Sequence, residues 1–375
     1  MDMNGLDLSQ AFFHEVVEPI VAAVVPGLRY AAALIGSGSE VIGNDDATSR
    51  DHDWAPRATL LLPDDADAGA ILAALDQRLP ETFAGHRVRI CPSDPGAGFR
   101  SPHPGEGHRV AVTTLAGWLG DQPGWSDPAS PAVADWLGTP QQRLLEVTAG
   151  RVFRDDIGEL TDVRDRLAWY PDDVWRYLLA CQWQRVAQLE PFVGRTGDVG
   201  DDLGSRLVAA SLVRDAMRLT FLIGRQYAPY DKWIGTAFSR LPMASTIQPS
   251  LTAALSVVEW RDRETAVVTA MVALAQATNA LGLAAPVDTT PRLFYDRPYR
   301  VLDAHRFRTA LDQRIADPAV RAVIDDRGWV GSVDQWSDSV DLLTANSRLV
   351  PRFSDGVLTP DLTDCSLSPG SEGGR

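Results

Sequence analysis

The chain has 375 residues, 45% of them hydrophobic and 23% charged, an ordinary globular composition that is too long for one typical hydrophobic core. Two domains are therefore expected, and a disordered or fibrous chain is excluded. With 50 acidic against 35 basic residues, a formal charge of -15 makes the surface repel phosphate backbones, so no non-specific nucleic-acid binding is expected.

The N-terminus, MDMNGLDLSQ, is acidic where a secretory signal is basic. From Leu8 to Val25 apolar residues recur at helical spacing, and Pro26-Gly27 ends the pattern. Arg29 to Ile35 is a short apolar run that reads as a buried strand, followed by GSGSEVIGNDDATSRDHDW at Gly36 to Trp54. Asp51 to Leu62 reads as a second strand with Pro56 at an edge or bulge. Asp67 to Leu79 is amphipathic, and His86 to Cys91 and Arg109 to Leu115 read as strands flanking a proline- and glycine-rich loop. From Pro131 to about Ile324 helical periodicity takes over and strand signals disappear. Helices are expected over Asp172 to Leu189, Leu203 to Gln226, Ser250 to Arg261, Glu264 to Leu281 and Leu302 to Ile315. The expected organisation is an α/β domain at 1-128, a mainly helical domain at 129-350 covering the cleft, and a disordered tail at 351-375. A small-molecule site at the junction fits that order.

Cys91, Cys181 and Cys365 are odd in number and lack ligand spacing, so neither a disulfide frame nor a zinc knuckle is expected. The uncharged stretch from Ala266 to Val287 is broken by Thr269, Gln276, Thr278 and Asn279, which suits a buried helix better than a membrane span. A cytoplasmic protein without membrane contact is the expectation. Lys232 is the only lysine, and it lies in YDKWIG, away from any glycine loop of the G-x-x-x-x-G-K-[ST] kind, which excludes a Walker site. Glycines 36, 38 and 43 miss the dinucleotide spacing, and neither Ser37 nor Ser39 has the glycines of a hydrolase elbow.

In an extended strand residues two apart share a face, so Asp51 and Asp53 project together, with Arg57 on the same face if no bulge intervenes. Adjacent carboxylates raise each other's pKa unless a cation lies between them. Mg²⁺ suits such a pair, because it takes one or two carboxylates and fills its octahedron with water and substrate phosphate. Gly36, Ser37 and Ser39, leaving a buried strand, offer N–H groups and hydroxyls to those phosphates. The alternative for DHD is a solvated turn. Asp45 and Asp46 read as turn residues. His103, Glu106 and His108 in SPHPGEGH read as loop, because proline and glycine prevent the helix a metalloprotease site needs. Arg214, Arg218 and Arg225 share a helix face, read as solvated. Tyr227, Tyr230 and Trp233 read as packing, with Lys232 as a substrate contact.

Gly36-Ser37 followed by Asp51-x-Asp53 resembles the signature of the DNA polymerase beta-like nucleotidyltransferase superfamily. The longer string GSGSEVIGNDDATSRDHDW, together with YAPYDKW at Tyr227 to Trp233, looks like the bacterial family called domain of unknown function 4037, closely over residues 30 to 62 and more loosely over the helical domain. The resemblance implies a mixed-sheet catalytic domain, Ser37 near a triphosphate, and Asp51 and Asp53 as catalytic Mg²⁺ ligands. It implies transfer of a nucleoside monophosphate from an NTP such as ATP to an unknown small-molecule or protein acceptor. One departure concerns a third carboxylate: HRVAVTTL has Ala111 and Val112 where it is sought, and Asp94 and Glu106 lie in the loop before it. A non-catalytic nucleotide-sensing or partner-binding protein on the same fold therefore remains the competing reading.

Overall fold

The computed structural model describes residues 3–46, 48–49, 54–90, 107–125 and 127–344. The tail at 351-375, His103, Glu106, Asp94, and the aspartates Asp51 and Asp53 lie outside the described residues.

Two helices open the chain, α1 (Gly5–Phe12) and α2 (Glu18–Val24), joined by a π-helical turn at Phe13–Val17. The Asn4 side chain caps α1 by accepting the Asp7 N–H, which satisfies one of the donors a helix start leaves open. Strand β1 (Ala31–Leu34) follows, then β2 (Ala58–Leu62) and α3 (Ala68–Arg78), whose Asp67 cap accepts the Ala70 N–H. Two short hairpins come next, β3 (Thr82–Phe83) with β4 (His86–Arg87) and β5 (Arg89–Ile90) with β6 (Gly107–His108). Strand β7 (Val110–Thr114) then runs into α4 (Leu115–Asp121), with Thr114 as its cap. After α5 (Val133–Gly138) and α6 (Gln141–Thr148) the chain forms β8 (Arg151–Asp155).

These strands build a mixed sheet of order β7-β2-β1-β8. β1 is antiparallel to both neighbours, Ala32 facing Leu60 on one side and Arg154 on the other. β2 and β7 are parallel, Ala58 beside Val110 through to Leu62 beside Thr114. The small apolar run AAAL has neighbours on both edges and packing on both faces, as a central strand requires. Alternation divides its side chains. Ala32, with Leu60 and Leu62, faces a core formed with Phe12, Phe13, Ile71 and Leu75, whereas Ala31 and Ala33, with Leu61, face the helical remainder of the chain.

That remainder comprises α7 (Glu159–Arg166), α8 (Asp172–Leu189), α9 (Phe192–Asp198), α10 (Asp202–Ile223), α11 (Asp231–Phe238), α12 (Ala244–Ser256) and α13 (Trp260–Ala280). A two-stranded ribbon, β9 (Arg292–Leu293) with β10 (Arg300–Val301), precedes α14 (His305–Asp312), α15 (Pro318–Arg327), α16 (Val333–Trp336) and α17 (Val340–Leu343). The chain is thus α/β with a mixed sheet followed by a mainly helical region, as expected. The longest helices, α8, α10 and α13, pack around the fully buried Trp175 and Trp183. No helix among the described residues is long and apolar enough to cross a membrane.

Several boundaries differ from the sequence reading, two of them with consequences for the site or the domain division. The second strand starts at Ala58, and residues 54 to 57, including Pro56, form a bend instead of extended chain; the shared-face argument for Asp51, Asp53 and Arg57 thus has no described strand beneath it. Strand signals do not end at Pro131, because β8 completes the sheet beside β1. A boundary at 128/129 leaves that strand out. Finally, α12 begins before Pro249 and ends at Ser256, with α13 starting at Trp260. Proline removes only one helical donor, and here the helix runs through it.

Candidate functional site

The site is built where β1 ends. Gly36 and Gly38 both have positive φ, 89° and 152°, so the chain turns sharply as it leaves the sheet, in conformations that favour glycine. The Gly36 N–H donates to the Glu146 carbonyl at 2.9 Å, and the Asn44 N–H closes the loop onto the Ser39 carbonyl at 2.7 Å. Ser37 is exposed at the tip, and Ser39 is half-buried.

Two arginines reach this loop from different elements. Arg57, just before β2, donates from Nε and Nη2 to Glu40 Oε1 at 2.9 and 2.6 Å, and from Nη2 to the Ser37 carbonyl at 2.7 Å. A Cβ on Gly38 would overlap that Nη2, so glycine is what lets the guanidinium lie across the loop. Arg143, on α6, approaches from the other side. Its Nη1 lies 3.5 Å from the Ser37 hydroxyl, 2.6 Å from Glu146 Oε2 and 3.3 Å from Gln122 Oε1, and its Nη2 donates to the Thr344 carbonyl at 2.6 Å. Glu146 Oε2 is also 3.5 Å from the Ser37 hydroxyl. Glu40 and Glu146 are each 4% exposed, so both charges are stable only because an arginine faces each of them.

The lower part of the loop is tied down separately. Asp45 accepts the Gly5 N–H and the Trp54 indole N–H. Hydrogen bonds from the Ser49 hydroxyl and N–H hold the Asp46 carboxyl below its usual range, with the Lys232 charge adding to them. Both aspartates are turn and anchor residues, as the sequence suggested. Lys232 itself is exposed on the first turn of α11, over the Trp233 ring, and its charge acts on Asp46. Asn44 is 3% exposed, and neither atom of its carboxamide has a hydrogen-bond partner among the described residues.

Gly36, Ser37, Ser39 and Arg57 are therefore brought into one neighbourhood, and Lys232 is linked to it only through its charge acting on Asp46. The arginine stripe is not part of it. Arg214 pairs with Asp338 and Arg225 stacks on Trp175. Arg218 corrects the expectation of a solvated face, since its side chain is only 10% exposed, near Asp231. Tyr227 is core, its hydroxyl donating to the Leu167 carbonyl. His108 is buried, its Nδ1 accepting the Val110 N–H. β7 carries no ionisable side chain, and among the described residues no group of three or more His, Cys, Asp or Glu is placed to hold a metal.

Arg143 and Glu146 were missed by the sequence reading. Pro140 and Gly150 bracket the QQRLLEVT segment, a start and stop signal for a helix, but nothing local says that it faces the loop. The same helix is held from beyond: Asp334 Oδ2 accepts the Gln141 N–H at 3.0 Å, Gln141 Oε1 accepts the Ala228 N–H, and Gln142 bridges Glu146 and the Tyr230 N–H.

Burial pushes the Asp334 carboxyl up to about 6, against the opposing Arg218 charge and the Gln141 N–H. The folded protein therefore keeps this proton between pH ~4 and ~6, where an unfolded aspartate has lost it, so stability falls as pH rises through that window. Between pH ~4.5 and ~6.5 the native chain is expected to lose about 2 kcal/mol more than Asp334→Asn, read from urea midpoints. Parallel pH profiles for the two proteins would show that Asp334 is ionised throughout.

No curated protein matches the chain. A solved structure, that of a nucleotidyltransferase-like protein from Exiguobacterium sibiricum 255-15, aligns over 81% of this chain and 89% of its own at 10% identity and a TM-score of 0.30, too loose a superposition to assign a fold or any residue. Residues 136–234, from α5 through α11 and including Tyr227 to Trp233, match the model of the family described as Domain of unknown function (DUF4037).

Proposed function

We propose that the Gly36–Ser39 loop binds the phosphates of a nucleoside triphosphate, and that the protein transfers the nucleoside monophosphate to an acceptor hydroxyl. The observation that carries this reading is the convergence of Arg57 and Arg143 on Ser37, at the end of a buried central strand. Glycines at positive φ, an exposed hydroxyl and two guanidinium forks form a set that suits phosphate oxygens, and Lys232 adds a further positive charge nearby. Gly36, Ser37, Ser39, Arg57 and Lys232 are the proposed contacts.

The same donors fit a triphosphate better than a metal. Mg²⁺ would rest on Asp51 and Asp53, which lie between the loop and β2 in the sequence, and when bound would offset the phosphate charge. In the transfer, the acceptor oxygen bonds to the α-phosphorus as the bond to pyrophosphate breaks, and the hydroxyl proton passes to a base. ATP is the natural first donor and the cytoplasm its natural compartment. A specific observation favours a second reading, a nucleotide sensor without transfer: β7, hydrogen-bonded directly to β2, has no carboxylate to serve as that base.

Calorimetric titration of ATP, CTP, GTP and UTP with and without Mg²⁺ tests the site. Mg²⁺-dependent binding is expected in the parent and at least about ten-fold weaker binding in Asp51→Asn/Asp53→Asn. Pyrophosphate release in the presence of candidate acceptors separates transferase from sensor. Absence of binding by every nucleotide would sink both.

A further inference from the structure

We propose that Arg143 is a phosphate-contacting residue of this site and that Glu146 holds its place in the ligand-free protein, so that the nucleotide must displace a built-in carboxylate. The inference rests on the nucleotide reading above and adds to it a residue and a means of regulation.

Arg143 Nη1 faces three acceptors, Gln122 Oε1 at 3.3 Å among them, and two of these meet at the loop. It is 2.6 Å from Glu146 Oε2 and 3.5 Å from the Ser37 hydroxyl, while the same carboxylate oxygen is itself 3.5 Å from that hydroxyl. The carboxylate thus occupies one corner of a triangle whose other corners are a guanidinium and an exposed loop hydroxyl, where an anionic oxygen of a ligand would find the same two donors. Arg143 is poorly suited to a purely surface role, its side chain being 5% exposed. Once a phosphate approaches Ser37, two anions compete for one fork. A buried carboxylate beside a phosphate is repelled, so Glu146 must turn away or lose its hold on Arg143.

The consequence travels along α6, because its neighbours on that helix are committed elsewhere. Gln142 bonds Glu146 Oε1 at 2.9 Å and accepts the Tyr230 N–H at 3.2 Å. Tyr230 immediately precedes α11, the helix that carries Lys232, whose charge acts on Asp46 of the loop. Arg143 also holds the Thr344 carbonyl beyond α17. A ligand that recruits Arg143 therefore pulls on the contacts that reach the start of α11 and Thr344.

The test compares MgATP and inorganic tripolyphosphate binding to the parent, Glu146→Gln and Arg143→Lys, with the thermal midpoint of each recorded. Removing the competing charge is expected to tighten both ligands about ten-fold in Glu146→Gln, as when a competent state populated near ~10% becomes the main one. Arg143→Lys, which keeps the charge and loses the fork, is expected to weaken both by about ten-fold. If Glu146→Gln folds and binds as the parent does or more weakly, the carboxylate is a scaffold and the inference fails while the nucleotide reading stands. If Glu146→Gln does not fold, an Arg143→Lys protein that folds and binds at parental strength overturns the inference by itself, and one that binds more weakly supports it. A parent that binds neither ligand removes the nucleotide reading and this inference with it.

Discussion

Gly150→Ala is expected to destabilise the protein by about 3 kcal/mol or more, a loss made of two parts that arise at the same atom. Gly150 joins α6 to β8 at φ 74°, a left-handed conformation that a side chain makes costly. A Cβ there would also overlap the Leu34 carbonyl oxygen and sit 3.2 Å from Val41 Cγ1. Neither neighbour can yield cheaply. Leu34 is the last residue of β1, paired with Arg151 of β8, and Val41 accepts the Gly150 N–H at 3.0 Å. The substitution forces apart the central strand and the turn that presents the Gly-Ser loop, so any nucleotide affinity should fall along with stability. Urea denaturation of parent and variant measures the first effect; a midpoint within experimental error of the parent would mean that the β1–β8 junction is not held as tightly as described.

Trp183→Ala should cost about 3–5 kcal/mol, the usual range for deleting a buried tryptophan. The ring is fully buried on α8, stacked on Phe307 of α14 with centroids 4.7 Å apart and planes at 25°. Its Nε1 donates to the Thr278 hydroxyl of α13 at 3.3 Å, so truncation empties a volume shared by three helices and removes one hydrogen bond, while the Thr278 hydroxyl keeps its bond to the Leu274 carbonyl. Trp183→Phe, which keeps the stack, should lose less. The core that contains Trp183 also includes Ala31 and Ala33 of β1. The sheet and the helical region therefore should melt together, and far-ultraviolet circular dichroism and tryptophan fluorescence should give one coincident, earlier transition in the variant. Two separated transitions would show that the core divides between the sheet and the helices.

Much of the fold was legible locally. The helix from Asp172 to Leu189 has the bounds that its helical periodicity predicts, and the apolar run ending in AAALI reads as a buried strand, which the structure places at the centre of the sheet. β8 was missed for a physical reason: RVFRD is five residues with charges at both ends, half-buried throughout, and its pairing energy comes from β1, more than a hundred residues earlier. The helix expected over Ser250 to Arg261 instead begins at Ala244, before Pro249, and ends at Ser256, because tertiary contacts hold a turn that local propensity does not reveal.

The candidate site divides in the same way. Gly36, Ser37, Ser39 and Arg57 are close in the chain, and their types announce a loop able to meet phosphate. The sequence by itself also determined the acidic surface, the lack of a Walker loop and the absence of a carboxylate on β7. Only the tertiary structure decided that Arg57 lies across the loop onto Glu40, that Arg143 and Glu146 meet Ser37 from α6, and that Arg218 is buried instead of solvated. The reason is the range of the forces involved. Turn chemistry and periodicity act over a few residues and leave their mark in the local string, whereas a buried charge is located by whichever distant partner can neutralise it, and that partner is known only once the strands and helices have packed.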